Sequence, residues 1–387
     1  MFTDVWCPKL LQGRPADLRW LRALAHRYHA DIPCSKVHSF GLVAAVREVE
    51  FRAWRSLRPS TDVFDYYNRY GAWFSGSVAK ELSRFPLSPG KHIFHGFTTG
   101  SLESLQLVRQ QGIPGLLQQI DAGRVHYQIV NEELERWPGW QRKGVKVPET
   151  YFNRIEQEWR EAALVVVNSN WTRSALVRQG VPESKLLVLP LAFEAPKLDE
   201  ESHAVSKQPL RVLWVADVLL AKGIQYLIGA ARRLSTRRIT IVVAGNVDIS
   251  REAVDKAPES MKFLGRIPRG QIREYYRQSD LYFLPTLSDG FALTQLEAMA
   301  HGLPVITTPN CGEVVTDGED GFVVPIRDEV ALANAIARMD DDRELLWRMA
   351  SAAKQKVKEF SLGDYGKRII AGVEGRLGSI GPARFGE

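Results

Sequence analysis

Residues 283–302 read FLPTLSDGFALTQLEAMAHG, from Phe283 to Gly302. The stretch sets one acid, Asp289, eight positions before a second, Glu297. Between them Gly290-Phe291-Ala292-Leu293 makes a turn that can bring bare backbone N–H groups against a ligand. The apolar run Leu281 to Leu284 predicts a strand feeding this loop, and a helix is expected to leave it. Strand, glycine loop and helix start together form a common anion and nucleotide site. The helix N-terminus attracts phosphate, and a carboxylate one turn in can hold two sugar hydroxyls.

Outward from this block, strand and helix patterns alternate, as a parallel α/β sheet requires. Strands are expected at Leu210 to Val215, Ile239 to Ala244, Lys262 to Leu264, Val305 to Thr307 and Gly321 to Val324. Helices are expected over Ile224 to Leu234, Gln271 to Arg277, Leu296 to Ala300, Val330 to Met339 and Glu344 to Lys358. The N-terminal half is less regular. Lys91 to His95, Pro114 to Ile120, Leu164 to Val167 and Leu186 to Leu189 read as buried strands. Asn168-Ser169-Asn170 reads as the cap of a helix over Trp171 to Gln179, closed by Gly180. The polar, proline-bearing stretch 194–209 reads as a linker.

The chain of 387 residues suits two or three domains, each large enough for its own core. With 45% hydrophobic and 25% charged residues its composition is globular. No stretch approaches the roughly 20 apolar residues that span a bilayer, and the first residues do not read as a signal peptide. Cys7, Cys34 and Cys311 are too scattered for a zinc site or a disulfide framework. Free thiols in a reducing cytoplasm are the simplest reading.

The net charge of +6 is uneven: residues 1–60 hold ten Lys or Arg against five Asp or Glu. A basic face attracts anionic membranes, nucleic acid or anionic sugars without selecting among them. No nucleic-acid-binding signature accompanies it, so nucleic acid is not an expected partner. Within this region Leu42 to Arg58 forms a candidate amphipathic helix. Leu42, Val46, Val49, Ala53 and Leu57 share one face, and Arg47, Arg52, Arg55 and Arg58 the other, with Phe51 on the basic side. It reads either as a helix lying on an anionic membrane or as one packed on its own domain with arginines in solvent.

The block P-T-L-S-D-G-F-A-L-T-Q-L-E-A-M-A-H-G-L-P-V resembles the signature of retaining, nucleotide-sugar-dependent glycosyltransferases of family 4. The family pattern is roughly P-S-x-x-E-G-F-G-L-x-x-L-E-A-M-A-x-G-x-P-V. The likeness continues through Thr307 to Gly312 and Asp317 to Phe322, and more weakly through Glu161 to Ser169 and Gly180 to Leu186. It covers about residues 90–375. The resemblance implies an α/β GT-B fold: two Rossmann-like, doubly wound domains facing across a cleft. The expected division is an acceptor-side domain over 1–193, the linker 194–209 and a nucleotide-sugar-binding domain over 210–361. A C-terminal helix within about 362–387 would cross back to complete the first domain. The glycine-glycine loop of the family's first strand has no counterpart, and Phe2 to Trp6 looks like its second strand. The start is therefore expected to lack the first strand and its loop.

The resemblance also assigns residues. Glu297 stands where the family's second glutamate holds the ribose hydroxyls, although Thr294-x-x-Glu297 also reads as a capping box. Asp289 stands where the first glutamate contacts the donor sugar, one methylene shorter, and also reads as a turn residue before glycine. Gly290, Phe291, Ala292 and Leu293 would line the diphosphate and sugar, with Phe291 mainly packing and Ala292 in place of the family's second glycine. Lys222, before Gly223, would neutralise the departing nucleoside diphosphate. Five positions earlier the family usually has arginine, and this chain has Asp217. Arg266, in Gly265-Arg266-Ile267, falls in the loop over the nucleobase. Asp121 and His126, after the Pro114 to Ile120 strand, are candidates to deprotonate the acceptor.

The expected activity is transfer of a hexose from a nucleotide-diphosphate sugar to a glycan or lipid-linked acceptor, with retention at the anomeric carbon. The nucleotide sugar is a co-substrate, and no cofactor or metal is expected. No Asp-x-Asp motif sits at a strand end, and Asp340-Asp341-Asp342 reads as solvated loop. Cell-envelope or extracellular polysaccharide synthesis is the expected setting, in the cytoplasm or at the inner membrane face, with peripheral contact to anionic lipid. Two alternatives remain: a GT-B sugar-nucleotide epimerase, and a non-catalytic relative that binds nucleotide or glycan.

Overall fold

The computed structural model describes residues 1–4, 29, 31–41, 43–44, 46–47, 49–50, 53, 63–141, 146–196 and 209–378. The chain divides into two compact units: Met1–Leu117 with Val145–Ala163, and Gln118–Gly144 with Leu164–Glu387.

The second unit is built on a six-stranded sheet: β7 (Leu210–Val215), β8 (Ile239–Ala244), β9 (Met261–Gly265), β10 (Leu281–Leu284), β11 (Val305–Thr307) and β12 (Gly321–Val323). The spatial order is β12-β11-β10-β7-β8-β9, and every pairing is parallel. Relative to chain order this is the doubly wound 3-2-1-4-5-6 arrangement, whose direction reverses between β7 and β10. Helices cover both faces, so the strands are near-continuous apolar runs. Leu281, Tyr282, Phe283 and Leu284 are all buried, as are Val212, Leu213 and Trp214. Helix Ile224–Arg233 packs on helix Glu329–Asp341, and Arg343–Lys356 follows. The same unit holds the end of β4 (Gly115–Gln119), then β5 (Leu164–Val167) and β6 (Leu186–Val188). The expected cap after β5 is Ser169, whose hydroxyl accepts from Thr172 N at 3.1 Å. The last helix, Leu362–Leu377, lies against Leu187 through Gly372 and donates from Arg376 to the Ser184 carbonyl.

In the first unit, β1 (Phe2–Thr3) pairs in parallel with β2 (His38–Ser39). This is where a strand was expected, but Val5 and Trp6 lie outside the described residues. Beside β3 (Phe94–Phe97) run helices Val63–Leu82, Leu102–Gln110 and Glu149–Glu161. These three, and Arg124–Arg136 in the second unit, have no counterpart in the sequence reading. Glu149–Glu161 buries Phe152, Ile155 and Trp159 at helical spacing, but buries Arg154 and Glu158 among them, which blurs the pattern. The two polar groups hold a turn. Glu158 accepts from Thr99 N and Ser101 N at 2.6 and 2.9 Å, while Arg154 donates to the Thr99 carbonyl and forks onto Glu103. Thr99 is thereby kept at a φ of +74°.

Several expectations need correction. Asp340 and Asp341 are not loop residues; they end helix Glu329–Asp341 and pair with Arg237, and Asp342 caps the next helix by accepting from Leu345 N. The apolar face assigned to Leu42–Arg58 is not packed inward where it is described: Val46 and Val49 are 57% and 67% exposed, and Ala44 is the buried residue. Leu42, Phe51, Arg52, Arg55, Leu57 and Arg58 lie outside the described residues, as does most of the linker, 197–208. Among the described residues, no helix is long and apolar enough to cross a membrane.

Candidate functional site

In an open parallel sheet the strand order reverses at one point, and ligands bind beyond the carboxyl ends of the strands there. In the second unit that point lies between β7 and β10. The loops leaving β7, β8, β9 and β10 start on this edge, and a cavity of about 680 Å³ opens among them. Asp217, Asn246, Arg266, Arg269, Thr294 and Glu297 contribute to its walls. Three residues singled out from sequence, Asp217, Arg266 and Glu297, are thus brought together across 80 positions. Asp217 and Arg266 are both exposed, each at the mouth of its loop.

Glu297 projects from helix Leu293–Ala300, and its Oε2 accepts a hydrogen bond from the Tyr276 hydroxyl at 3.0 Å. The capping-box alternative is not made. The N-cap is Ala292, which provides no side-chain cap, and Thr294 lies inside the helix accepting from the Tyr282 hydroxyl at 2.7 Å. The carboxylate of Glu297 is therefore not used to close its own helix.

A second group forms at the far end of the same loop. Lys222 ends a short 3-10 turn, Leu220–Lys222, and its Nζ donates to Asp289 Oδ2. Gly223 makes this approach possible. It sits at φ +81°, and a Cβ there would come within 2.1 Å of the Pro285 carbonyl oxygen. Asp289 also donates its N–H to the Asn310 carbonyl at 2.9 Å, so the acid is held on the loop by backbone and side chain together. The two residues assigned separately to leaving-group and sugar chemistry are thus one ion pair, with side chains 25% and 20% exposed.

Gly290 serves contact more than ligand access: a Cβ would stand 1.8 Å from the Ile120 carbonyl oxygen. That carbonyl accepts from Asn168 Nδ2 at 2.8 Å, a bond between the ends of β4 and β5 against which Gly290 packs. Phe291 is buried against Phe360 with ring centroids 6.0 Å apart. Ala292 is buried at the helix start, and Leu293 is 40% exposed.

His126 lies in the first turn of helix Arg124–Arg136, with Nδ1 3.1 Å from Ser288 Oγ. Burial holds its pKa below the ordinary value, and the Lys222 charge acts the same way, while Asp121 and Asp289 oppose. A neutral imidazole is thus kept beside the Lys222–Asp289 pair, in the form that can take a proton. Asp121 is otherwise engaged. Its Oδ1 accepts from Gly123 N at 2.7 Å and Gln119 Nε2 at 3.0 Å, so it shapes the turn before the helix.

Sequence reading missed Tyr276, Ser288 and Arg269, and took Asn168 only as part of a helix cap. Tyr276 had a weak signal, an aromatic five positions before the central strand begins. Ser288 had none beyond adjacency to Asp289.

Residues 209–342 match the family model described as "Glycosyl transferases group 1". This segment, which contains Asp217, Lys222, Arg266, Asp289 and Glu297, is thus similar to the group 1 glycosyltransferases. The chain is similar to the amylovoran biosynthesis glycosyltransferase AmsK of Erwinia amylovora, 27% identical over 210 residues, covering 50% of this chain and 51% of that protein. It spans about half the length of the curated relatives it matches. Among solved structures it is similar to sucrose-phosphate synthase of Thermosynechococcus elongatus, with a TM-score of 0.60, 20% identity, and 83% and 80% of the two chains covered. HepE of Anabaena in complex with UDP gives a TM-score of 0.59 at 18% identity, with 78% and 82% covered. These likenesses carry the fold, which is α/β of the GT-B class.

Proposed function

We propose that the chain is a retaining, metal-independent hexosyltransferase of family 4. In this reading it moves a hexose from a nucleoside-diphosphate sugar to a glycan or lipid-linked acceptor in envelope or extracellular polysaccharide synthesis. The observation that carries the reading is Glu297 in a cavity at the sheet's reversal point, one loop away from the Lys222–Asp289 pair. A carboxylate suits a ribose diol, and a lysine suits the charge that grows on a departing diphosphate. The UDP bound to HepE and the polysaccharide role of AmsK support the donor and product classes.

The bond between the anomeric carbon and the diphosphate oxygen breaks, and its electron pair leaves with the nucleoside diphosphate. The acceptor oxygen attacks from the same face, and its proton passes to the leaving group or to His126. Asp289 is engaged by Lys222, so it acts as an electrostatic partner of the sugar rather than a covalent nucleophile. Exposed Val46 and Val49 are the described part of the face assigned to anionic lipid, with Arg47 of the opposite face paired to Glu50. One observation favours a second reading, a non-catalytic binder: Asp217 puts a negative charge in the cavity where the family has arginine.

The test is release of nucleoside diphosphate from UDP-glucose, GDP-mannose and ADP-glucose, with and without a membrane extract bearing lipid-linked acceptors. Release that needs both donor and extract, and is lost in Glu297→Gln, is expected. No release from any donor would favour the binder, and donor turnover without extract would favour an epimerase or hydrolase.

A further inference from the structure

Glu297 is held from outside its own helix. Tyr276, from helix Arg269–Arg277, is 1% exposed and donates its hydroxyl hydrogen to Glu297 Oε2. Its ring is stacked on His301, with centroids 5.0 Å apart and planes 15° from parallel. His301 Nδ1 in turn lies 2.7 Å from the Glu297 carbonyl oxygen. The ring that bonds the glutamate side chain is thus clamped by a residue bonded to the glutamate main chain. Burial above all, and then the neighbouring Tyr282 and Glu297, raise the Tyr276 pKa well above its ordinary value, so the phenol stays a donor.

Tyr276 is too deeply buried to touch a ligand, so any effect on binding passes through Glu297. An unanchored glutamate has several rotamers, and a ligand that must select one loses affinity. We propose that Tyr276 is a positioning residue that presets the Glu297 carboxylate for a ribose diol and so makes the cavity discriminate ribonucleotides from 2′-deoxyribonucleotides. The proposal rests on the nucleotide-sugar reading of the site and deepens it: the ligand is a ribonucleotide, and its selection depends on a group it never meets.

The experiment is calorimetric titration of wild type, Tyr276→Phe, Glu297→Gln and the double variant. The ligands are whichever of UDP, GDP and ADP binds, and its 2′-deoxy counterpart. Wild type is expected to prefer the ribo form by about tenfold or more, the scale of a hydrogen bond to a charged group. Tyr276→Phe should weaken the ribo form by about tenfold, weaken the deoxy form, which keeps only the 3′ hydroxyl, by clearly less, and add nothing to Glu297→Gln. A ribo-to-deoxy ratio equal to wild type in Tyr276→Phe would overturn the proposal, whatever the melting temperature. So would losses that simply add in the double variant. Should Tyr276→Phe not fold, His301→Ala, which removes the clamp on the ring, should lower the ratio in the same direction, and an unchanged ratio there counts equally against it. Failure of wild type to bind any of the three would overturn the nucleotide reading and the inference together, whereas binding by wild type with an unaltered Tyr276→Phe overturns the inference alone.

Discussion

Replacing Glu133 with alanine removes a carboxylate that is fully buried and accepts three hydrogen bonds. Arg327 Nε donates at 2.6 Å, Gln225 Nε2 at 2.8 Å and the Tyr226 hydroxyl at 2.9 Å. Arg327 is one of two described non-glycine residues with positive φ, at +63°, and this pairing holds it there. Removing one partner of a buried ion pair costs about 3–5 kcal/mol, mostly because the other charge is stranded. Here the low end applies. Arg327 keeps Glu132 at 2.7 Å, and Gln225 keeps the Leu220 carbonyl at 3.1 Å. A loss of about 3 kcal/mol corresponds to a melting temperature roughly 6–12 °C lower for a domain of about 150–250 residues. Glu133→Gln, which keeps the shape and one acceptor oxygen, should lose about half as much. Thermal unfolding followed by circular dichroism, with urea titration as the second probe, measures both. The network joins the helix that carries His126 to the helix that starts just after Lys222, so nucleotide affinity should also fall. A Glu133→Ala protein melting within about 2 °C of wild type would instead mean that the buried carboxylate contributes no net stability.

Three further outcomes follow from the same geometry. Lys222→Ala should lower acceptor-dependent turnover by about 10²–10³, the scale of losing one preorganised group at developing charge; a loss under about threefold in steady-state assays would count against that role. Gly290→Ala should cost about 1–3 kcal/mol in a melting experiment, because the added Cβ meets the Ile120 carbonyl at 1.8 Å and the loop must move. His126 is held below its unfolded value, so its contribution to stability is full above about pH 6.5 and is lost as pH falls below that. Melting temperatures from pH 5 to 7 should therefore drop on the acid side, and His126→Asn should flatten that slope.

The strand, loop and helix around Asp289 and Glu297 were legible because all their determinants are local: an apolar run, Asp-Gly, and a helical pattern within 22 residues, 281–302. The remaining strands of the second unit were legible for the same reason, as buried parallel strands leave continuous apolar runs. The pairing of Lys222 with Asp289 was not, because it joins positions 67 apart through the sheet order. Glu133 and Arg327, 194 positions apart, illustrate the same limit more strongly: each reads as an ordinary surface charge until the fold buries the pair. The helices of the first unit were obscured by polar residues turned inward. Ser75 and Ser104 bond each other in the core, and Glu158 holds a backbone turn, so their helices lack a clean apolar stripe.

The proposed transfer depends first on a nucleoside diphosphate binding through Glu297 in the cavity between the loops of β7 and β10. Titration of UDP, GDP and ADP into wild type and Glu297→Ala tests it most directly. Saturable binding of one of the three, weakened about tenfold or more in the variant, is the predicted result. Folded wild type that binds none of them, or a variant that binds as well as wild type, would contradict it.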